Sequence, residues 1–254
     1  MVKNIPNLII ITSPEPVNNE FEIINSLFNE GLECLHVRKP DYDLPKLEHW
    51  LQQINMHNLS KIVIHSHFDL TEKIRLKGIH FTNAFLNRTP EKDIFFIVQK
   101  ANSEKLSISA SVHKTEELKS LKFNYDYIFL SPVFDSISKQ GYKSNFNLKE
   151  LSLDLKNLNK NMVLLNKNRD CFASLAMTLN TNVIAREERP KQSKNIYQIT
   201  YAKNIKVIAL GGIDEGNIGL ALQSGFAGVA LLGAILLISR TKLISLANER
   251  VRTL

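Results

Sequence analysis

Short apolar runs alternate with stripes of helical spacing along most of the chain. Leu8-Ile9-Ile10-Ile11-Thr12 is too short for a helix and reads as a buried strand, closed by Ser13-Pro14. From Glu20 to Asn29, Phe21, Ile24, Leu27 and Phe28 recur at helical spacing, and Gly31 is the expected stop. A second strand is expected over Cys34–Arg38, a helix over Leu44–Met56, a third strand over Lys61–His65 and a helix over Asp69–Leu76. Gly78–Phe81 is a short fourth strand, whereas Phe95–Val98 fits helix and strand equally. Leu106–Val112 is the fifth strand, Lys114–Lys122 a helix, and Tyr127–Leu130 the sixth strand, broken by Ser131-Pro132. Lys206–Leu210, Asn217–Gln223, Gly228–Leu232 and Leu236–Val251 read as strand, helix, strand and last helix.

Strand followed by helix, repeated, predicts a parallel sheet with right-handed crossovers. Eight strands in 254 residues favour a closed (β/α)8 TIM barrel, taken as one domain over 1–254. No GxGxxG follows the first strand, which argues against a dinucleotide-binding sheet. One segment exceeds the loop and single helix that a barrel needs between strands six and seven. Residues 157–203 are read as an insertion, with a short strand at Met162–Leu165, a helix at Cys171–Leu179 and a strand at Asn182–Arg186 as its own candidates.

Composition narrows the class. With 44% hydrophobic and 22% charged residues the chain has ample material for a core. No apolar run approaches the ~18 residues of a membrane span, and the N-terminus lacks a signal-peptide layout. Cys34 and Cys171 match neither a zinc nor a redox spacing, so a cytoplasmic enzyme is expected, with Cys34 in the core. The net charge is +7, but the lysines are scattered without interleaved aromatics. Nucleic acid and membrane are therefore not expected partners, and a small phosphorylated substrate is. The oligomeric state stays open, a homo-oligomer included.

Active sites of such barrels sit at the C-terminal ends of the strands. Those ends carry His36, Arg38 and Lys39, then His65, Ser66 and His67, then Ser111 and His113. Strand six is followed by Ser136, Ser138 and Lys139, two hydroxyls and an ammonium suited to a phosphate. Gly211, Gly212 and the pair Leu232-Gly233 supply turns whose backbone N–H groups can face an anion. His65 or His67 could hold a soft metal, although two rings on one face of a strand have a purely structural reading, and no metal ligand is assigned. His36 and His80 are read as packed residues.

In order and spacing, CLHVRKP, KIVIHSHFDL, KGIHF, SASVHKTEEL, YDYIFLSPVFDSISKQG, VIALGGI and GFAGVALLGAI resemble the thiamin phosphate synthase/TenI family of barrels. The resemblance implies a thiazole phosphate ligand. His36-Val37-Arg38 stands for the family's Gln/His-x-Arg, and Lys39 for a lysine usually placed one residue further on. Ser136-Ile137-Ser138-Lys139 stands for its Thr-x-Thr-Lys, and Gly211-Gly212 with Leu232-Gly233 for its phosphate-binding turns. Synthases of the family couple a hydroxymethylpyrimidine pyrophosphate to the thiazole phosphate with magnesium held by two aspartates. The first position is Ser66 here and the second falls near Phe85, and neither residue replaces a carboxylate. TenI-type members lack the first aspartate and carry Ser-Val-His after strand five, matched by Ser111-Val112-His113. The preferred expectation is a TenI-like thiazole tautomerase with His113 as acid and base and no cofactor. The alternatives are the magnesium-dependent synthase and a non-catalytic regulatory or binding barrel.

Overall fold

The computed structural model describes residues 5–135, 146–157 and 205–232. Eight parallel strands close in sequence order, each bonded to the next and β8 to β1. They are β1 (Leu8–Ile11), β2 (Leu35–Val37), β3 (Ile62–Ile64), β4 (Gly78–Phe81), β5 (Ser107–Val112), β6 (Tyr127–Leu130), β7 (Lys206–Leu210) and β8 (Gly228–Leu232). The closed (β/α)8 barrel expected from the sequence is the fold.

A strand presents alternate side chains to opposite faces, and here both faces are buried. One set of residues points outward beneath the helices and includes Ile10, Leu35, Ile62, Ile79, Ile108, Ile128, Val207 and Val229. The other fills the barrel itself: Ile9, Ile11, Cys34, Val63, Tyr127, Phe129, Ile208 and Ala230. Each buried side chain of this size contributes roughly 1.5–3 kcal/mol relative to exposure. This double burial explains why the strands read as unbroken apolar runs rather than as alternating ones.

The helices are α1 (Glu20–Asn29), α2 (Leu44–Gln52), α3 (Asn83–Arg88), α4 (Glu91–Ser103) and α5 (Thr115–Lys119). Helical residues 148–157 form α6, and Ile218–Gln223 forms α7. Asp43 caps α2 by accepting from Lys46 N at 2.9 Å, with Pro45 in the first turn, where the lost N–H costs nothing. Thr82 caps α3 in the same way.

Two expected helices change, and one ambiguous stretch becomes a helix. The Leu44–Met56 helix ends at Gln52, and a 3-10 turn over Met56–Lys61 follows. The helix expected over Asp69–Leu76 is a 3-10 turn, Phe68–Glu72, entered through His67 in the left-handed region at φ 53°. The ambiguous Phe95–Val98 lies within α4, which buries Ile94, Val98 and Ala101 at helical spacing and leaves Phe96 67% exposed. The expected last helix and nearly all of 157–203 lie outside the described residues.

Candidate active site

Residues of inward-pointing parity at the C-terminal strand ends set the chemistry of the barrel mouth. On β5 these are Ser109 and Ser111, with His113 just beyond the strand. On β2 they are His36 and then Arg38, on β3 His65, on β4 His80, and on β6 Tyr127, Phe129 and then Ser131.

His113 is exposed, and its Nδ1 lies 2.8 Å from the carbonyl oxygen of Ser131. A carbonyl only accepts, so Nδ1 carries the proton and donates. In the neutral ring Nε2 is then a bare lone pair, the state required of a general base. The carbonyl belongs to the residue just after β6, so the ring is oriented from the end of the neighbouring strand.

Beside it the Gly-Gly turn packs on the same loop. Gly211 and Gly212 have φ of 89° and 65°, and a Cβ on Gly212 would lie 2.3 Å from the Asp135 carbonyl oxygen. Only glycine fits so close a backbone approach. Val133 N donates to Leu210 O and Phe134 N to Gly211 O, which joins the β6 and β7 loops. Leu232, at the end of β8, is 46% exposed. Gly233 and the trio Ser136, Ser138 and Lys139 lie outside the described residues.

Arg38 is half-buried, and its backbone N–H donates to Thr12 Oγ1 at 2.9 Å. Its charge reaches both His65 and His80 and opposes their protonation. Lys39 does not join it. Successive residues of a strand point to opposite faces, so Lys39 turns outward and is buried between α1 and α2. There its ammonium donates to Glu20 Oε1 and Oε2 at 2.8 and 3.0 Å and to Glu15 O at 3.3 Å. Trp50 Nε1 donates to the same carboxylate. The expectation of Lys39 as a substrate ligand is corrected: it is a core cation of an ion pair.

The reading of His65 and His67 as two rings on one face of a strand is corrected as well. The left-handed backbone at His67 breaks the strand alternation, and its Nε2–H donates to Tyr42 O. His65 meets His36 and His80 instead. His36 Nδ1 lies 2.9 Å from His65 Nε2, and His36 Nε2 lies 2.6 Å from the Tyr127 hydroxyl. His80 is bonded through Nδ1 to Ser109 Oγ and through Nε2 to Ser111 Oγ, both at 2.9 Å. Phe129 packs under the His36 and His80 rings. A signal for this cluster was present: each histidine is an inward position near the C-terminal end of one of three successive strands, and a closed parallel barrel sets such positions side by side.

Burial holds all three rings neutral, and their mutual proximity and Arg38 add to the effect. His80 is lowered from 6.5 to about 3. Its folded pKa is below its unfolded one, so the unfolded chain binds more protons and stability is lost as pH falls below 6.5 towards 3. His80 alone is expected to remove about 2 kcal/mol of unfolding free energy between pH 7 and pH 5, with His36 and His65 acting in the same direction. Urea unfolding at the two pH values measures this, and His80→Asn should flatten the difference. Equal midpoints at both values would contradict the assignment. Cys34, fully buried, has its thiol pushed up to about 12 by desolvation and is an inert core residue.

The family model for thiamine monophosphate synthase matches residues 8–165. The chain belongs to the thiamin phosphate synthase/TenI family. Among solved structures, a thiamine phosphate pyrophosphorylase from Bacteroides thetaiotaomicron is 28% identical, with 95% of this chain and 98% of that chain covered and a TM-score of 0.61. A thiamine phosphate pyrophosphorylase from Pyrococcus furiosus, 16% identical over 96% of this chain and 94% of its own, shares the fold with a TM-score of 0.60. No curated protein matches the chain. The resemblance puts the synthase's two magnesium aspartates at Ser66 and near Phe85. Phe85 packs on Phe68 and stacks on Phe81 with ring centroids 5.2 and 5.4 Å apart. An aromatic ring and a hydroxyl do not fit the oxygen-rich shell that magnesium takes.

Proposed function

We propose that this family member binds a thiazole phosphate and isomerises a carboxylated thiazole phosphate to its aromatic tautomer, as TenI-type members do. The observation that carries this reading is His113, whose Nδ1–H is fixed on the Ser131 carbonyl and whose Nε2 is left for proton transfer. Nε2 takes a proton from ring carbon of the substrate and returns it at the tautomeric position, so one imidazole serves as base and then as acid. No metal is needed for such a shift, which agrees with Ser66 and Phe85 in place of the two carboxylates. The phosphate is assigned to the Gly211-Gly212 turn, Leu232-Gly233, and the Ser136, Ser138 and Lys139 loop. Arg38 neutralises the substrate's carboxylate, and Ser111, held by His80 Nε2, completes the wall beside His113. The test is turnover of the carboxylated thiazole phosphate in magnesium-free buffer.

The magnesium-dependent synthase is the second reading, favoured by the match to the thiamine monophosphate synthase model. It would have to stabilise departing pyrophosphate by cationic side chains alone. Lys39 is committed to Glu20, which removes one of the two lysines such a mechanism would use.

A further inference from the structure

We propose that His36, His65 and His80 form a three-imidazole site for a divalent transition metal, zinc first, just inside the mouth of the barrel. It does not rest on the tautomerase reading, because none of the three histidines is assigned a step in that reaction.

One nitrogen from each ring can be chosen so that all three lie within 4.8 Å of one another. Tetrahedral zinc with nitrogen ligands at ~2.0–2.1 Å sets those nitrogens about 3.3 Å apart. Side-chain rotation of about 1.5 Å at most therefore closes the set. Rigid strands carry all three, His36 on β2, His65 just past β3 and His80 on β4, so the site is organised before any metal arrives.

The surroundings match what imidazole ligands require. A metal-bound histidine commonly bonds its other nitrogen to a polar partner that fixes the ring. His36 has the Tyr127 hydroxyl for this role, and His80 keeps either the Ser109 or the Ser111 hydroxyl while the metal displaces the other. His65 is 9% exposed, and its Nδ1 has no hydrogen-bond partner. A buried polar atom left without a partner needs an explanation, and a cation binding at this cluster supplies one. The donor set also selects the ion. Three neutral nitrogens without a carboxylate suit zinc, cobalt, nickel or copper, and are wrong for magnesium or calcium.

Three protein ligands leave a fourth position open. The charge of Arg38 reaches His65 and His80, so the fourth ligand class is an anionic oxygen, a carboxylate or phosphate, attracted by both cations.

The experiment uses the full untagged chain, stripped with a chelator and titrated with Co2+ and then Zn2+. One Co2+ per chain is expected, with the intense visible bands of a four-coordinate nitrogen site, displaced by Zn2+ and untouched by excess Mg2+. His65→Asn and His80→Asn should each weaken binding by 100-fold or more, and Tyr127→Phe by about tenfold through the ring it orients. His57→Ala, an exposed histidine elsewhere, should change nothing. Substoichiometric binding, an octahedral spectrum, or affinity indifferent to His65 and His80 would overturn the proposal. If either histidine variant fails to fold, the cobalt spectrum and stoichiometry of the native chain still decide.

Discussion

His113→Gln is expected to lower kcat for thiazole isomerisation by about 10²–10⁴-fold, the usual contribution of a positioned acid or base. Glutamine keeps an N–H for the Ser131 carbonyl but has no basic atom at the position of Nε2. Affinity for thiazole phosphate should change by no more than about twofold, because the phosphate is assigned to the β6, β7 and β8 loops. A loss confined to kcat marks an interaction made only in the transition state. The residue is exposed, so folding should be unaffected. Steady-state kinetics with calorimetric binding measure both quantities, and a kcat within threefold of the parent would remove His113 from the chemistry.

Glu20→Ala carries the largest expected effect on stability. The Lys39 side chain is fully buried, its ammonium 2.8 Å from a Glu20 carboxylate that is itself only 6% exposed. Removing the carboxylate leaves an uncompensated ammonium between α1 and α2 and an indole N–H without its acceptor. Breaking a buried pair in this way costs about 3–5 kcal/mol, a large share of the 5–15 kcal/mol typical of a whole domain. The double substitution Glu20→Leu with Lys39→Met should recover most of the loss, since an apolar pair of similar volume needs no desolvation. Urea unfolding at neutral pH measures both. A cost below about 1 kcal/mol for Glu20→Ala would mean that Lys39 is not committed to this pair and is available to the mouth.

The barrel was legible in the sequence because its strands are buried on both faces. Ile62-Val63-Ile64 and Tyr127-Ile128-Phe129-Leu130 leave no polar position to confuse the period, and the glycines and prolines mark their ends. Helix ends were less legible: the Asp69–Leu76 stretch has apolar residues at helical spacing, but the left-handed turn at His67 is a tertiary choice that spacing does not record. At the mouth, the placing of His113 and the Gly-Gly turn at strand ends follows from position alone, and their roles come from the family resemblance. Lys39 was misplaced because its charge suggested a ligand, whereas its neighbour Arg38 already occupies the inward parity. The histidine cluster was missed for the opposite reason. His36 and His80, taken singly, read as packed residues, and the contact between strands that unites them with His65 exists only once the sheet closes.

The most direct measurement follows the protein with two substrate sets by NMR, each with and without magnesium. With carboxylated thiazole phosphate alone, the proton shift to the aromatic tautomer should proceed at the same rate in both buffers. With thiazole phosphate and hydroxymethylpyrimidine pyrophosphate, no thiamin phosphate should form. Magnesium-dependent formation of thiamin phosphate, with no tautomer produced in the first set, would contradict the account and return the chain to the synthases.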